Sequence, residues 1–368
     1  MLRGAARSHG RPAATALALA ALAIALATAR SEAYVYWANN ASDSIGRANP
    51  DGTGVSPTFI SQASLPWGVA VDGEHIYWAN HGSRSIGRAN LDGTGANPHF
   101  IRRAPLPAGV AVNAGHIYWA NYSSGTIGRA NLNGKGVEQR FISGARKPTG
   151  VTLDGSYVYW ANSDAGTIGR AGLDGSGVDQ AFVTGASFPN GLAVDTAHIY
   201  WTTELGTNSW SIGRGPIGSG PVVDETFITG ALDPVGLAVD GTSVYWSNAS
   251  GTIGRANLDG TGADQGFING AGVPWGIAVD AKAATCAGED ATILGTGRAE
   301  TVRGTPRDDV IAAQGGDDRV IGRGGDDLVC GAGGDDQLRG GHGDDELRGG
   351  GGSDSCRGAA GADHRRHC

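Results

Sequence analysis

An aspartate stands at every ninth position near the end of the chain: Asp309, Asp318, Asp327, Asp336, Asp345 and Asp354. Carboxylates at one fixed short interval come together when successive repeats stack. Stacked carboxylates repel one another unless a cation lies among them. Ca²⁺ takes roughly six to eight hard oxygen ligands, which successive turns can supply jointly. The spacing therefore predicts calcium binding by these six aspartates and a tail whose folding depends on the ion. The register runs on to Glu300 and Asp363, giving eight nonapeptides, of which the first is degenerate and the last carries Arg365 where an apolar residue belongs.

The elements that position these carboxylates are legible in the same nine-residue rhythm. Gly340-Gly341-His342-Gly343-Asp344-Asp345-Glu346-Leu347-Arg348 follows G-G-x-G-x-D-x-U-x, with U a large apolar residue. Val302, Ile311, Val320, Val329, Leu338, Leu347 and then Cys356 occupy the U position. The glycine half turns sharply and presents carbonyls, while the apolar residue points into a thin core. A disordered acidic linker would account for the composition but not for an apolar residue at every ninth place. Residues 295 to 366 resemble the RTX family of hemolysin-type calcium repeats. The resemblance implies a parallel β-roll that binds calcium, here used as a calcium-set, disulfide-tied stability module.

Cys286, Cys330, Cys356 and Cys368 all lie in this last quarter. An even count suggests two disulfides, for which three pairings exist; proximity favours 286–330 and 356–368. A zinc site is the alternative, but no C-x-x-C spacing occurs. The oxidising compartment that disulfides need agrees with the other end of the chain. Arg3, Arg7 and Arg11 precede an apolar stretch, Ala16 to Ala27, and then Ala27-Thr28-Ala29, with Ser31-Glu32-Ala33 as a second small-x-small site. This describes a signal peptide over residues 1–29, cleaved after Ala29 or Ala33, and an exported protein, extracellular or at the cell surface.

Between these ends runs a longer rhythm. Tyr-Trp recurs with tryptophan at 37, 78, 119, 160, 201 and 246, at spacings of 41, 41, 41, 41 and 45. A Pro-x-Gly segment starts at Pro66, Pro107, Pro148, Pro189, Pro234 and Pro274; Ile-Gly-Arg ends at Arg47, Arg88, Arg129, Arg170, Arg214 and Arg255; and Phe-[IV] begins at Phe59, Phe100, Phe141, Phe182, Phe227 and Phe267. Four short apolar segments per repeat, divided by Gly-rich turns, predict one four-stranded propeller blade per repeat and six blades in all. The chain begins on a second strand (Tyr34 to Asn39) and ends on an innermost one (Gly276 to Asp280), so the last strand should complete the first blade and leave no open edge.

Val-Tyr-Trp-Ala-Asn, Arg-Ala-Asn-Leu-Asp-Gly-Thr-Gly and Pro-Trp-Gly-Ile-Ala-Val-Asp resemble the YWTD repeats of low-density-lipoprotein-receptor propellers over residues 34 to 280. The resemblance implies a six-bladed propeller used for protein binding. The signature tetrapeptide reads Tyr-Trp-Ala-Asn in four blades, Tyr-Trp-Thr-Thr in the fifth and Tyr-Trp-Ser-Asn in the last. The inner segments are also similar to those of virginiamycin B lyase and gluconolactonase-type propellers, which place metal-binding acids, asparagines or histidines in the channel. Here those strands offer mostly Ala and Val, and Glu204 is a solitary unusual acid.

Residues that break the repeat are the candidates for recognition. Trp67 and Trp275 precede inner strands, and Trp210 sits in a lengthened second-to-third-strand loop of blade five. Both loop types emerge on one face, so the three tryptophans are candidate ligand-binding residues for a sugar or protein. Packing at blade entrances is the alternative. His75, His116 and His198 recur with the repeat and read as structural. The Ile-Gly-Arg arginines are expected to pair with the Asp closing the inner strand, such as Asp72 or Asp240, with an anion-binding ring as the alternative.

Composition bounds these readings. Of 368 residues 64 are glycine, which disfavours helix, and the net charge of −8 argues against a nucleic-acid partner. No span of ~18 apolar residues occurs in the body of the chain. The expectation is an all-β chain: a six-bladed propeller over 30–285, then a parallel β-roll over 286–368. It is expected to bind calcium and an extracellular protein or carbohydrate, with a propeller enzyme of lyase or gluconolactonase type as the alternative to a binding protein.

Overall fold

The computed structural model describes residues 34–207, 209–217, 223–280, 285–287, 289–291, 293–295, 299 and 301–368. The expected signal peptide, residues 1–29, lies outside the described residues. Strands Val35–Asn39, Ser44–Ala48 and Ser56–Ile60 make blade one with Pro274–Val279 as its innermost strand. The next five blades each use four consecutive strands, beginning at Pro66, Pro107, Pro148, Leu192 and Pro234. Ring closure is antiparallel, pairing Val35 with Val279 and Trp37 with Ile277, and the Asp280 N–H donates to the Tyr34 carbonyl at 2.8 Å. All six blades are therefore closed sheets within a closed ring.

The Tyr-Trp dipeptide explains how blades adhere. Adjacent residues on a strand point to opposite faces, so each tyrosine packs forward and each tryptophan backward. Tyr36 shares a core cluster with Trp78, Tyr77 with Trp119, Tyr118 with Trp160, Tyr159 with Trp201 and Tyr200 with Trp246. Tyr245 with Trp37 closes the circle. All six tryptophans are 0% exposed. Burying an aromatic side chain of this size contributes on the order of 4–6 kcal/mol of gross transfer free energy. The indole lies flat over the glycine of Ile-Gly-Arg on the next strand, as Trp119 does over Gly128, where any Cβ would overlap the ring.

The arginines depart from expectation. Arg88 stacks over the Phe100 ring at 4.0 Å, and Arg47, Arg129, Arg170, Arg214 and Arg255 do likewise over Phe59, Phe141, Phe182, Phe227 and Phe267 at 3.8–4.0 Å. The carboxylates of Asp72, Asp154, Asp195 and Asp240 instead accept from the hydroxyls of Tyr77, Tyr159, Tyr200 and Tyr245 at 2.7–2.9 Å. Among the described residues no ion pair joins those arginines to those aspartates; Arg129 pairs with Glu138 at 2.8 Å. The physical reason is local: the tyrosine lies five residues beyond the aspartate on the same hairpin, and the phenyl ring on the neighbouring strand gives the guanidinium a flat, desolvated seat.

The tail winds as two parallel sheets. One contains Ile293–Leu294, Val310–Ala312, Leu328–Gly333, Glu346–Gly351 and His364–Arg366; the other contains Thr301–Arg303, Arg319–Gly324, Gln337–His342 and Ser355–Arg357. Pairing runs from Val320 to Leu338 and from Val329 to Leu347, so one full turn is two nonapeptides. Val302, Ile311, Val320, Val329, Leu338 and Leu347 form one buried core, joined by Ile293 and Cys356. Ile293 continues the same register one repeat before the degenerate first nonapeptide. Disulfides join Cys286 to Cys330 and Cys356 to Cys368.

Candidate functional site

In the roll, each Asp-Asp pair divides its labour. The first aspartate is exposed and latches the next turn: Asp308 Oδ1 accepts the Asp326 N–H at 2.9 Å, and Asp326 Oδ1 accepts the Asp344 N–H at 2.8 Å. The second turns inward. Asp327 Oδ1 accepts the Asp309 N–H at 3.0 Å, Asp336 Oδ1 the Asp318 N–H at 2.8 Å, Asp345 Oδ1 the Asp327 N–H at 3.0 Å and Asp354 Oδ1 the Asp336 N–H at 3.0 Å. These bonds knit the turns and fix the carboxylate planes. Sequence reasoning found the inward row and missed the latching one, although the doubled Asp-Asp was its visible signal.

The remaining oxygens carry the chemistry. Oδ2 of Asp327, Asp336, Asp345 and Asp354 is buried without a hydrogen-bond partner. Each lies against the first glycine of its own nonapeptide, Gly322, Gly331, Gly340 and Gly349, where a Cβ would strike it. An unpaired buried anionic oxygen is costly unless a cation compensates it. Burial, reinforced by the charges of Asp345, Asp309 and Asp308, pushes the Asp327 carboxyl up to about 7, and burial raises Asp336 and Asp345 in the same sense. A row of hard, buried, repelling oxygens fits Ca²⁺. Among the described residues no three acidic, His or Cys side chains converge on one point. A calcium ion here would thus draw on single carboxylates from stacked turns together with main-chain carbonyls of the glycine turns.

The predicted aspartates are not equivalent. Asp309 Oδ2 accepts from the Thr305 N–H at 2.6 Å and the Thr305 hydroxyl at 3.0 Å. Its inward oxygen is satisfied by the protein itself. Asp318 is buried like its neighbours, but Ala313 stands where the other nonapeptides have their first glycine.

On the propeller, Trp67 and Trp275 meet at the channel mouth with ring centroids 4.6 Å apart. His81 stacks on Trp67 at 3.9 Å and 5°, and Tyr122 meets Trp67 edge-on at 5.9 Å. These four rings come from blades one, two and three. Burial holds the His81 imidazole below its ordinary value, its contact with the Pro107 carbonyl opposes this, and the Arg84 charge adds to the lowering. Trp210 does not line this mouth; it sits opposite Glu204 in the lengthened hairpin of blade five. His81 and Tyr122 were not singled out from sequence, because nothing local marks residues that ring closure brings together.

Beneath the aromatic cluster the channel narrows to about 60 Å³, bounded by Gly68, Gly109, Gly150, Gly191, Gly236 and Gly276. A Cβ on Gly109 would lie 2.6 Å from the Thr149 carbonyl oxygen of the next blade, so only glycine lets six inner strands approach this closely. On the other side lies a recess of about 210 Å³ lined by the inner-strand residues Val, Ala, Leu, Ile and Thr152. Among the described residues no acidic or basic side chain lines either recess.

Residues 294–329 and 331–364 match the RTX calcium-binding nonapeptide repeat family, in four copies. The roll is therefore built of calcium-binding RTX repeats. No curated protein is matched by the sequence. Among solved structures, the chain is similar to one in a nidogen/laminin complex, with 20% identity and a TM-score of 0.57 over 68% of this chain and 99% of that one. That likeness defines the fold, a six-bladed YWTD-type propeller. Virginiamycin B lyase from Staphylococcus aureus matches at 21% identity and TM-score 0.45, covering 58% of this chain and 73% of its own. A gluconolactonase from Xanthomonas campestris matches at 17% and 0.48, covering 62% and 82%. Among the described residues no helix is long and apolar enough to cross a membrane.

Proposed function

We propose that this chain is a secreted calcium-binding recognition protein. Its propeller would hold an extracellular protein or carbohydrate over the channel mouth, and its roll would act as a stability module set by calcium. The observation that carries the reading is the group of Trp67, Trp275, His81 and Tyr122, gathered by three blades around a recess too narrow to admit a substrate. Exposed Leu65, Phe188 and Leu232, each just before an inner strand, extend apolar surface on the same face. Half-buried aromatics clustered with apolar side chains are the usual anchors of recognition surfaces. A channel lined without acids or bases favours binding at its mouth over chemistry within. Two disulfides and the N-terminal Arg-rich and alanine-rich segments support export.

The test is a screen of glycans and extracellular proteins against the full chain, with calcium and with chelator. The expected result is a saturable ligand lost on Trp67→Ala or Trp275→Ala, with the fold retained. Ligands that bind both variants as they bind the parent would sink the assignment of this face. Trp210→Ala reports separately on the blade-five hairpin.

A further inference from the structure

Blade two carries a second concavity, about 590 Å³, on the face that bears the aromatic cluster. It is lined by Ser83, Arg84, Ser85, His99, Arg102 and Arg103, with no carboxylate among its lining residues. All three arginines are exposed, and none makes an ion pair among the described residues. The hydroxyls are already organised: Ser85 Oγ donates to the Pro98 carbonyl at 2.8 Å, shares a hydrogen bond with Ser83 Oγ at 2.9 Å, and lies 3.2 Å from His99 Nδ1.

The backbone marks this pocket as more than a chance of surface charge. Arg84 and Arg103 both hold left-handed conformations, with φ of 55° and 61°. At the position of Arg84, blades three, four and six use Gly125, Gly166 and Gly251. At the position of Arg103, blades three to six use Gly144, Gly185, Gly230 and Gly270, all with positive φ. Arg102 stands where those blades have Ser143, Thr184, Thr229 and Asn269. Three sister blades thus supply the relaxed glycine at the first position, where blade one has Asp43 at φ 50°, and four supply it at the second; blade two puts arginine at both and at the neighbouring Arg102, around one cavity. Strain kept in the presence of an easy alternative points to a task other than folding.

We infer that this pocket binds the ester oxyanion of a sulfated polysaccharide. Planar guanidinium groups with several fixed donors recognise tetrahedral oxyanions by paired hydrogen bonds, while the serine hydroxyl hydrogens are committed within the pocket wall. The polysaccharide carrier rests on the recognition reading above: His81, stacked on Trp67, lies three residues from Arg84 in the same loop, so sugar rings and their anionic substituents would meet one continuous surface. The oxyanion pocket stands without that reading. With a net charge of −8, the chain as a whole repels polyanions, so any binding must come from a local patch.

The experiment titrates the full chain, in fixed calcium, with dextran sulfate, unsulfated dextran and inorganic sulfate. The expected result is saturable binding of dextran sulfate that weakens with salt, with no binding of dextran. Arg84→Gly/Arg103→Gly, which restores the residues of the sister blades, should lower that affinity at least tenfold while Tm is held or rises. Arg102→Ser should act in the same direction. Unchanged affinity in the double variant overturns the inference, as does a parent chain that ignores dextran sulfate. Inorganic sulfate bound as tightly per sulfate as the polymer also overturns it, the pocket then holding an adventitious ion only. Trp67→Ala separates the two claims: if it leaves dextran sulfate binding whole while the arginine variants abolish it, the oxyanion pocket survives and the shared surface does not.

Discussion

Asp345 Oδ1 accepts the main-chain N–H of Asp327 one turn earlier at 3.0 Å, while Asp345 Oδ2, on the same 0%-exposed residue, has no partner. One oxygen builds the roll and the other burdens it. Asp345→Asn separates these duties, because the amide oxygen keeps the acceptor and the charge disappears. Calcium affinity should fall at least tenfold by isothermal titration. In chelator the variant should melt higher than the parent, since a buried unpaired anion costs more than a buried amide, by about 1–3 kcal/mol. Lower stability both with and without calcium would show that Oδ2 has a protein partner.

The raised carboxyls set a pH dependence with a definite sign. Asp327 titrates at about 7 in the folded metal-free chain, against an ordinary value of 3.8. Below the ordinary value both states are protonated and there is no penalty. Between about 4 and 7 the unfolded chain releases a proton that the folded chain retains, so metal-free stability falls as pH rises and levels off above 7. Asp336 and Asp345 shift in the same direction and deepen the fall. With saturating calcium the carboxylates are ionised in the fold, and the slope should reverse. Melting of the roll followed by circular dichroism from pH 4 to 8, in metal-stripped and calcium-containing buffers, checks both slopes.

The two rhythms and their architectures were legible in the sequence because period alone carries them. A tyrosine beside a tryptophan must face two different blades, and an apolar residue at every ninth place must face one core. The partners of polar groups were not legible. Arg88 reaches Phe100 and Asp72 reaches Tyr77 through strand register, whereas charge complementarity suggested each other. The aromatic mouth was half legible: Trp67 and Trp275 break the repeat visibly, but His81 and Tyr122 sit in loops whose composition looks ordinary. The strained arginines were hidden for a related reason, since φ is a property of the folded turn and only the sister glycines hint at it.

The first turn of the roll should respond to calcium differently from the rest. Thr305 satisfies Asp309 Oδ2 through both its N–H and its hydroxyl. Asp309→Asn should therefore lower calcium affinity far less than Asp345→Asn. Thr305→Ala should cost about 1 kcal/mol whether or not calcium is present, the value of one hydrogen bond to a buried acceptor. Equal losses of calcium affinity at Asp309 and Asp345 would make Asp309 a ligand like the others.

A last prediction concerns a donor left stranded in blade two. Trp119, Trp160 and Trp246 give their indole N–H to Gln139, Gln180 and Gln265 at 3.2, 3.0 and 2.9 Å, and Trp37 gives its own to the Ala271 carbonyl at 2.8 Å. Trp78 Nε1 is buried with no partner. Pro98 occupies the place of those glutamines, as Pro57 does in blade one, where Trp37 reaches the Ala271 carbonyl instead; Trp201 Nε1, in the blade that has Glu225 there, is also buried with no partner. The Pro98 carbonyl accepts from Asn80 and Ser85, as the Gln139 carbonyl accepts from Asn121 and Thr126, so the main chain needs no rearrangement to take the sister residue. Pro98→Gln would supply the missing carboxamide. Satisfying a buried donor recovers about 1–3 kcal/mol, against about 0.4–1 kcal/mol lost as the unfolded chain gains freedom without the proline. The net gain of about 1 kcal/mol should appear as a higher Tm of the propeller in calcium-saturated protein, with the roll transition unmoved. A lower Tm would mean that the proline's constraint on its strand outweighs the orphaned indole.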